Sequence, residues 1–373
     1  MLSAFATVSQ SILECLAQIL METHARLEFC LHSWGANSYG QLSQGHVEDQ
    51  ASPRLSNIAA LQNRPVRAIS GGGGHSVVIT ESGEVFVCGQ NNRGQLGLGH
   101  SADISTLQHC PILNQRVTDI ACGWDFTLLL TGSGCVYQWG TGLFSYAKRA
   151  LSPHAVPSHF NSKVPCLVPG LDQRISHRVT AGSAHCVCLT GDGDLFLWGS
   201  NKHGQLTTTE SFLSSPTLLK RSLLDGEKVI NVWSGWTHIV AQTESGRVFT
   251  WGRGNYGQLG RQISASEDTE QQPAGPVAQG GTQEVGLPAE VENLRGATQI
   301  CCGSEHNLAS VGGSLLSWGW NEHGMCGDGS QANVFLPQLV PGLRPVLIGC
   351  GAGHSMAVCA ATTGTETNSA PLE

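Results

Sequence analysis

Charged residues are scarce in this sequence, at 13% of 373 residues, and aromatic residues make up only 6%. Disordered chains are usually rich in charge and poor in large apolar side chains, whereas 40% of this chain is hydrophobic, which favours a folded protein. The formal net charge is −8, and no run of lysine or arginine occurs. Proteins that bind nucleic acid need a basic stripe that displaces counterions from the phosphates, so we expect no nucleic-acid partner.

Long apolar runs are also missing: none reaches the roughly 18 residues that would suggest a membrane span, so we expect no membrane insertion. The 14 cysteines are irregularly spaced and form no C-x-x-C pair, and the chain has neither a secretory signal nor an N-x-S/T sequon. These absences favour a reducing compartment, and we expect a cytoplasmic or nuclear location. Residues 1–28 include a helix-like amphipathic stretch, which we interpret as an N-terminal extension.

Glycine, by contrast, is abundant, with 47 residues, and it recurs in two columns. In the first column glycine follows tryptophan or, once, cysteine: Trp34-Gly35, Cys88-Gly89, Trp139-Gly140, Trp198-Gly199, Trp251-Gly252 and Trp318-Gly319. The second column is G-x-x-H, with one phenylalanine: Gly72/His75, Gly123/Phe126, Gly182/His185, Gly235/His238, Gly303/His306 and Gly351/His354. The two columns alternate, so the chain contains six tandem copies of one unit.

Each copy has the pattern of a β-hairpin. In residues 235–260, an apolar stretch follows the histidine, a turn follows at Glu244-Ser245-Gly246, and a second stretch ends at Trp251 before a Gly-Gln-Leu-Gly loop. Hairpin units repeated in tandem are typical of a propeller. The chain starts with the second half of a unit and ends with the first half. We therefore predict an all-β propeller over residues 29–359, closed by overlap of its terminal strands, with a flexible insertion at 261–289 and a disordered tail at 360–373.

The unit G-x-x-H…G-x-V/L-F-x-W-G-x-N-x-x-G-Q-L-G resembles the repeat of the regulator of chromosome condensation family. The segments WGANSYGQL, GGGGHS, ACGWDFT, WGSNKHGQL and SGWTH carry this resemblance. Propellers of that family typically have seven blades, and its founding member is a guanine nucleotide exchange factor for a small nuclear GTPase. Six copies are visible here, and the sequence passes in phase between Thr131 and Val136, as if one unit had been excised.

The resemblance implies guanine nucleotide exchange on a small GTPase, linked to secretion. The alternative is a non-catalytic scaffold that binds a vesicle-tethering partner such as an exocyst subunit. A light-sensing role ranks third, because it needs tryptophans clustered with arginines, whereas the Gly-Trp loops carry Asp125 and Thr237. No acid–base pair, nucleophile or cofactor fingerprint occurs, so we expect neither hydrolytic nor redox catalysis, no cofactor and at most exchange activity.

The histidine column is expected to be structural. One member falls in each of five copies, so the imidazoles cannot converge on a metal ion, and each is predicted to bond the backbone of the neighbouring blade: His75, His185, His238, His306 and His354. Cysteines just before the first glycine of the second column are interpreted as small buried hydrophobes near the axis: Cys122, Cys302 and Cys350. We therefore predict no metal site.

A partner-binding surface is predicted at the turns that carry these glycines. Equivalent turns lie on one face of a propeller, so four side chains are expected to cluster around one rim: Trp124, Asp125, Trp236 and Glu305. An acidic, tryptophan-bearing rim would attract a basic surface of a GTPase. The alternative, that these tryptophans pack between blades, stays open. Trp320 belongs to another loop set, which we expect on the opposite side.

Overall fold

The computed structural model describes residues 31–110, 115–171, 174–262, 286–353 and 355–359. The predictions for residues 1–28, for most of 261–289, for His354 and for 360–373 lie outside these ranges. The strands are β1 (His32–Gly35), β2 (Gln50–Leu55), β3 (Val66–Gly71), β4 (His75–Thr80), β5 (Val85–Gly89), β6 (Ile104–His109), β7 (Val117–Cys122), β8 (Thr127–Thr131), β9 (Val136–Trp139), β10 (Cys166–Leu167), β11 (Ser176–Ala181), β12 (His185–Thr190), β13 (Leu195–Ser200), β14 (Phe212–Leu218), β15 (Val229–Ser234), β16 (His238–Thr243), β17 (Val248–Gly252), β18 (Ala289–Glu290), β19 (Gln299–Cys302), β20 (His306–Val311), β21 (Ser314–Gly319), β22 (Val334–Leu339), β23 (Pro345–Cys350) and β24 (Ser355–Cys359).

The strands form five four-stranded antiparallel sheets, each made of consecutive strands: β3–β6, β7–β10, β11–β14, β15–β18 and β19–β22. Two further sheets have two strands each, β1–β2 and β23–β24. The first strand of each sheet contacts the first strand of the next, from β3 through β7, β11, β15 and β19 to β23. This arrangement of successive antiparallel sheets confirms the predicted all-β class and is consistent with a propeller.

The glycine of the Trp-Gly column is required by the register of the sheets. It pairs with the histidine at the start of the preceding strand, as His238 does with Gly252. Gly252 has a φ of +106°, and a Cβ there would lie 2.6 Å from the carbonyl oxygen of Thr237. Only glycine adopts this backbone conformation without strain and tolerates such a close approach, which explains why the residue recurs in every copy.

The tryptophans of the same column fill the interfaces between sheets. Trp139, Trp198, Trp251 and Trp318 are fully buried. The Trp139 Nε1 donates to the Gln95 carbonyl of the preceding copy at 2.8 Å, and Trp318 Nε1 donates in the same way to Gln258 at 3.0 Å. Tryptophan suits this position because its ring supplies apolar area while its N–H bonds a carbonyl that the interface removes from water.

The two ends of the series of sheets differ from the interfaces within it. Ile69 of β3 is 56% exposed, whereas its counterparts in the next four sheets, Ile120, Val179, Val232 and Ile300, are between 0 and 8% exposed. In the described part of the chain, β1–β2 and β23–β24 belong to separate sheets. A cavity of about 320 Å³ lies beside β24, lined by Leu308, Leu315, Met325, Cys326, Gly327 and Val340 among others. Closure by the terminal strands and the number of blades therefore stay predictions.

The second copy contains a helix that the sequence did not predict. Its Gly-Gln-Leu loop is replaced by a segment with helix α1 (Phe144–Leu151), and 3-10 helices occur at Ala59–Leu61, Ser158–Phe160, Arg221–Leu224 and Glu292–Leu294. Leu143 and Ala147 bury their side chains against Phe160 in the core between the second and third four-stranded sheets. None of the helices among the described residues is long and apolar enough to cross a membrane.

Candidate functional site

Six short loops, each between the first and second strands of a copy, surround one cavity of about 480 Å³. We call them the axial loops: Gly71–Gly73, Cys122–Trp124, Ala181–Ser183, Ser234–Trp236, Cys302–Ser304 and Cys350–Ala352. Their small residues keep the first strands close together around the axis. The sequence prediction that equivalent turns lie on one face agrees with this shared lining.

Backbone hydrogen bonds join the axial loops in series. The Trp124 N–H donates to the Ser183 carbonyl, and that residue's N–H donates in turn to the Trp236 carbonyl. The five links measure 3.0 Å (Gly73 to Trp124), 3.2 Å (Trp124 to Ser183), 2.9 Å (Ser183 to Trp236), 2.8 Å (Trp236 to Ser304) and 3.1 Å (Ser304 to Ala352). A link from Ala352 to Gly73 is not among the backbone bonds of the described residues. We call this series of bonds the backbone belt. It gives the loops a fixed geometry from the first copy to the sixth.

Two tryptophans project from this belt toward solvent. Trp124 is 45% exposed and Trp236 38% exposed, and their rings meet edge to face with centroids 5.0 Å apart. The Trp124 ring also lies over Gly73, where a Cβ would come within 2.8 Å of it. The two side chains therefore form one aromatic surface at the mouth of the cavity, which we call the tryptophan pair.

The two predicted acidic residues occupy different environments from the tryptophan pair. Asp125 is partly buried and accepts a hydrogen bond from Gln95 Nε2 at 3.5 Å; burial raises its pKa, and Arg93 opposes that rise. Glu305 is buried: it accepts from Thr237 Oγ1 and Gln258 Nε2, both at 2.7 Å.

Glu305 therefore connects the fourth and fifth copies rather than facing a partner. Arg253 Nη1 lies 3.8 Å from its carboxylate and His238 Nδ1 3.9 Å. A carboxylate taken out of water needs such partners, and these satisfy it. The expectation that Glu305 belongs to an exposed rim is corrected on this ground.

A second set of loops lies on the same face. The Trp320 N–H donates to the Glu305 carbonyl at 2.8 Å, so the expectation that Trp320 lies on the opposite side is wrong. We call the residues between Trp-Gly and the next glycine motif the loop tips. Four of them carry a formal charge, and three of the four are basic: Arg93, Lys202, Arg253 and Glu322.

The exposed charge of this face is therefore basic at its loop tips, although the whole chain is acidic. Arg93, Lys202 and Glu322 are exposed, so two of the three exposed charges at the loop tips are basic, while the carboxylate of Glu305 is buried. Burial and the nearby Arg253 and Lys202 lower the pKa of His203 to about 4, so its imidazole is neutral at pH 7. The predicted acidic rim is corrected accordingly. We call the tryptophan pair and the loop tips together the loop face.

The histidines of the second column join neighbouring copies through side chains, not through the backbone as predicted. His75 Nε2 lies 2.9 Å from Thr127 Oγ1, whose hydroxyl donates to the Gln95 carbonyl at 2.8 Å. Since that hydroxyl proton is used, the imidazole must donate through Nε2. Asn307 and Ser355 hold the position of Thr127 in their copies and partner His238 (2.7 Å) and His306 (3.0 Å). His185 instead bonds Ser234 (2.7 Å), which directly precedes the glycine of the next G-x-x-H motif.

The single departure from this column has a physical explanation. Phe126 packs with Cys186 in one apolar cluster, and that cysteine occupies the position that Thr127 occupies one copy earlier. A polar ring is therefore matched by a polar partner and an apolar ring by an apolar one. Burial lowers the pKa of His75 to about 4, so this imidazole is neutral at pH 7.

Comparison with known proteins agrees with the repeat and the sheets. A family model described as the RCC1-like domain matches residues 28–357. The chain belongs to the RCC1-like domain family. The resemblance seen in the sequence is thereby confirmed.

The Bos taurus protein named "Secretion-regulating guanine nucleotide exchange factor" is 43% identical to this chain over 386 residues, which cover 88% of this chain and 83% of that protein. Human WBSCR16 has the same fold, with a TM-score of 0.71, 24% identity, and coverage of 89% of this chain and 81% of that one. Prp20p from Saccharomyces cerevisiae matches with a TM-score of 0.60, 19% identity, and coverage of 91% and 93%. The two solved structures establish the shared fold.

The basic loop tips of this RCC1-like domain were not predicted from the sequence. Arg93 and Lys202 stand in loops that also carry Asn and Gly, and nothing in a single copy marks them as functional. Their position in the repeat could have indicated them, because both precede the Gly-Gln-Leu motif in their copies. The glutamine of that motif reaches the residue after the next copy's axial loop, as Gln95 reaches Asp125.

Proposed function

We propose that this chain is a guanine nucleotide exchange factor that binds a small GTPase through the loop face. The observation that carries the proposal is the 43% identity to a protein named as such a factor, along nearly the whole chain. The loop face supports it, because aromatic side chains that stay exposed at the centre of a rigid, concave surface are typical anchors of protein interfaces.

Exchange by this face needs no proton transfer. A factor that binds the nucleotide-free GTPase more tightly than the nucleotide-bound form weakens nucleotide binding by the ratio of those affinities. The tryptophan pair would supply the buried anchor, and the backbone belt would hold it rigid, so little ordering would be needed on binding. Arg93 and Lys202 would favour an acidic region of the GTPase and raise the association rate.

The test is release of a fluorescent GDP analogue from a panel of small GTPases, with and without the full chain. The proposal expects faster release from one or a few members, with the rate rising and then saturating as the chain concentration increases. Release at the spontaneous rate from every member, alongside measurable binding to one of them, would favour the second candidate, a scaffold without exchange activity. The vesicle-tethering partner of that alternative is tested by binding to purified exocyst subunits.

The matched control for the loop face is Ile175→Ala. Ile175 is 77% exposed and precedes β11, whereas the axial loop follows β11, so it lies at the opposite end of that strand. Its replacement should leave both binding and release unchanged. A loss equal to that of a tryptophan variant would mean that the GTPase binds elsewhere or that both variants are misfolded, which circular dichroism distinguishes.

We also propose that the six copies form a closed ring in which β1 completes the sheet of β23 and β24. In the described interfaces a buried tryptophan fills the space beside the preceding copy's loop, as Trp318 packs within 2.9 Å of the Cβ position at Gly260. Gly327 holds the corresponding place in the fifth copy and lines the 320 Å³ cavity. Trp34 is the residue of the column that remains to fill it, and closure would also cover Ile69.

A further inference from the structure

Cys301 and Cys350 lie in contact although they belong to different copies. Their sulfur atoms are 2.9 Å apart, and both side chains pack against the cluster of Leu308, Leu315 and Val340. Cys301 is on β19 and Cys350 at the end of β23. The pair therefore spans the interface that attaches the terminal sheet β23–β24 to the preceding sheet.

The repeat places equivalent positions beside each other at successive interfaces, but both positions are cysteines at only one of the five interfaces compared below. We call the first glycine of each G-x-x-H motif the axial glycine. At the first interface, Ser70 is the second residue before the axial glycine and Cys122 directly precedes the axial glycine of the next copy; the Cys122 N–H donates to Ser70 Oγ at 3.1 Å. The same two positions of the repeat define five pairs. The five pairs are Ser70 with Cys122, Ala121 with Ala181, Thr180 with Ser234, Trp233 with Cys302, and Cys301 with Cys350. Two thiols meet only in the last pair.

We propose that Cys301 and Cys350 form a reversible disulfide that fastens the terminal sheet to β19 when the chain meets an oxidant of the peroxide class. Among the described residues this sheet has two strands, whereas each of the five sheets from β3 to β22 has four. A covalent link across this interface constrains the segment between the two cysteines and removes conformational freedom from the detached state.

The reaction balances with one equivalent of peroxide. The thiolate of one cysteine attacks hydrogen peroxide, so an S–O bond forms, the O–O bond breaks, and the released hydroxide takes a proton to become water. The thiol of the second cysteine then attacks the sulfenic sulfur as a thiolate. The S–S bond forms, the S–O bond breaks, and a second water leaves. The two thiols lose two hydrogens and two electrons in total, and the peroxide gains them.

The environment of the pair makes the reaction slow at neutral pH. The side-chain contact with Cys301, followed by burial, raises the pKa of Cys350 well above its ordinary range. The reactive thiolate is therefore rare at pH 7, and the rate of linkage should rise with pH.

The experiment treats the full chain with hydrogen peroxide, alkylates the remaining thiols and maps the linked peptides by mass spectrometry. The proposal expects a peptide linking Cys301 to Cys350 in the wild type and in C302S, none in C301S or C350S, and loss of the link with dithiothreitol. C302S is the matched control, because Cys302 is adjacent but packs with Trp233 in another cluster. A link that persists in C301S, or no link in the wild type, would overturn the proposal.

A second readout tests the fastening itself. Hydrogen exchange of residues 345–359 should slow at least tenfold on oxidation of the wild type and should not change on the same treatment of C350S. Equal exchange in oxidised and reduced wild type would overturn the proposed role. The S70C variant keeps the test informative if C301S or C350S fails to fold, because it leaves both cysteines in place and should add a second link, to Cys122.

Discussion

The indole rings of Trp124 and Trp236 meet edge to face with centroids 5.0 Å apart, although they come from the second and fourth copies of the repeat. Ser183 of the third copy lies between them in the backbone belt and bonds to both, at 3.2 Å and 2.9 Å. The aromatic surface therefore depends on how the second, third and fourth copies are arranged around the cavity. The proposed partner would bury the parts of both rings that are exposed at the mouth of the cavity.

We expect Trp124→Ala and Trp236→Ala each to weaken binding of the GTPase about 30-fold, since interface anchors typically contribute about 2 kcal/mol or more. Titration calorimetry or interferometry with the GTPase identified by the exchange panel measures this. Both rings are already partly in water, so the melting temperature should change little. Binding that is unchanged in the double variant would place the interface away from the axial loops.

We expect the stability of the fold to decrease between pH 6.5 and about 4. Burial lowers the pKa of His75 to about 4 and that of His185 to about 3, from an ordinary value of 6.5. In this window the unfolded chain binds protons and the folded chain does not, so the free energy of unfolding is highest above pH 6.5 and falls as the pH falls. For His75 the loss is on the order of 3 kcal/mol. Urea unfolding at a series of pH values measures it.

The control for this pH dependence is a double variant that replaces one histidine link by the apolar contact seen in the second copy. His75→Phe combined with Thr127→Cys reproduces the pairing of Phe126 with Cys186. The double variant should fold at pH 7 and should show a shallower fall of stability with acid than the wild type. An equal slope in both proteins would mean that other groups control the acid response.

Two adjacent glycines should respond very differently to alanine. A Cβ at Gly72 would lie 2.3 Å from His75 Cε1 and 2.4 Å from the Gly123 carbonyl, whereas a Cβ at Gly71 would meet nothing within 4 Å. We expect Gly72→Ala to destabilise the fold by at least about 2 kcal/mol, since the backbone and a buried ring must move, and Gly71→Ala to change it by less than about 1 kcal/mol. Thermal melts of the two variants test this, and similar melting temperatures would contradict it.

The proposed ring closure would bury Trp34. If β1 completes the terminal sheet, Trp34→Ala should cost about 3–5 kcal/mol, as expected for truncation of a buried tryptophan. Trp318→Ala is the reference variant, because the Trp318 side chain is fully buried. A cost below about 1 kcal/mol for Trp34, with a large cost for Trp318, would indicate an open ring.

The fold could be predicted from the sequence because its determinants are local to each copy. Gly252 and Trp251 are needed by the register of one hairpin and by the neighbouring loop, and the same need recurs in every copy, so it appears as a column. Helix α1 could not be predicted in this way, since it occurs once and replaces the loop that the other copies share. Its burial depends on Phe160 and the third sheet.

The candidate site was less predictable because its properties arise between copies. Asp125 and Glu305 occupy the same position of the unit, yet one is partly exposed and the other is enclosed by Gln258 and Thr237. A single copy contains no information about the side chain that the preceding copy places against it. The contact of Cys301 with Cys350 was missed for the same reason.

Hydrogen–deuterium exchange on the full chain, alone and with its nucleotide-free GTPase, measures whether the loop face is the binding surface. We expect slower exchange at Cys122–Trp124, Ser234–Trp236 and the loop tip of Arg253 in the complex, and no change at the hairpin turn of Gly134 beside Ile175. Protection at that turn with unchanged exchange in the axial loops would contradict the claim that the loop face is the binding surface.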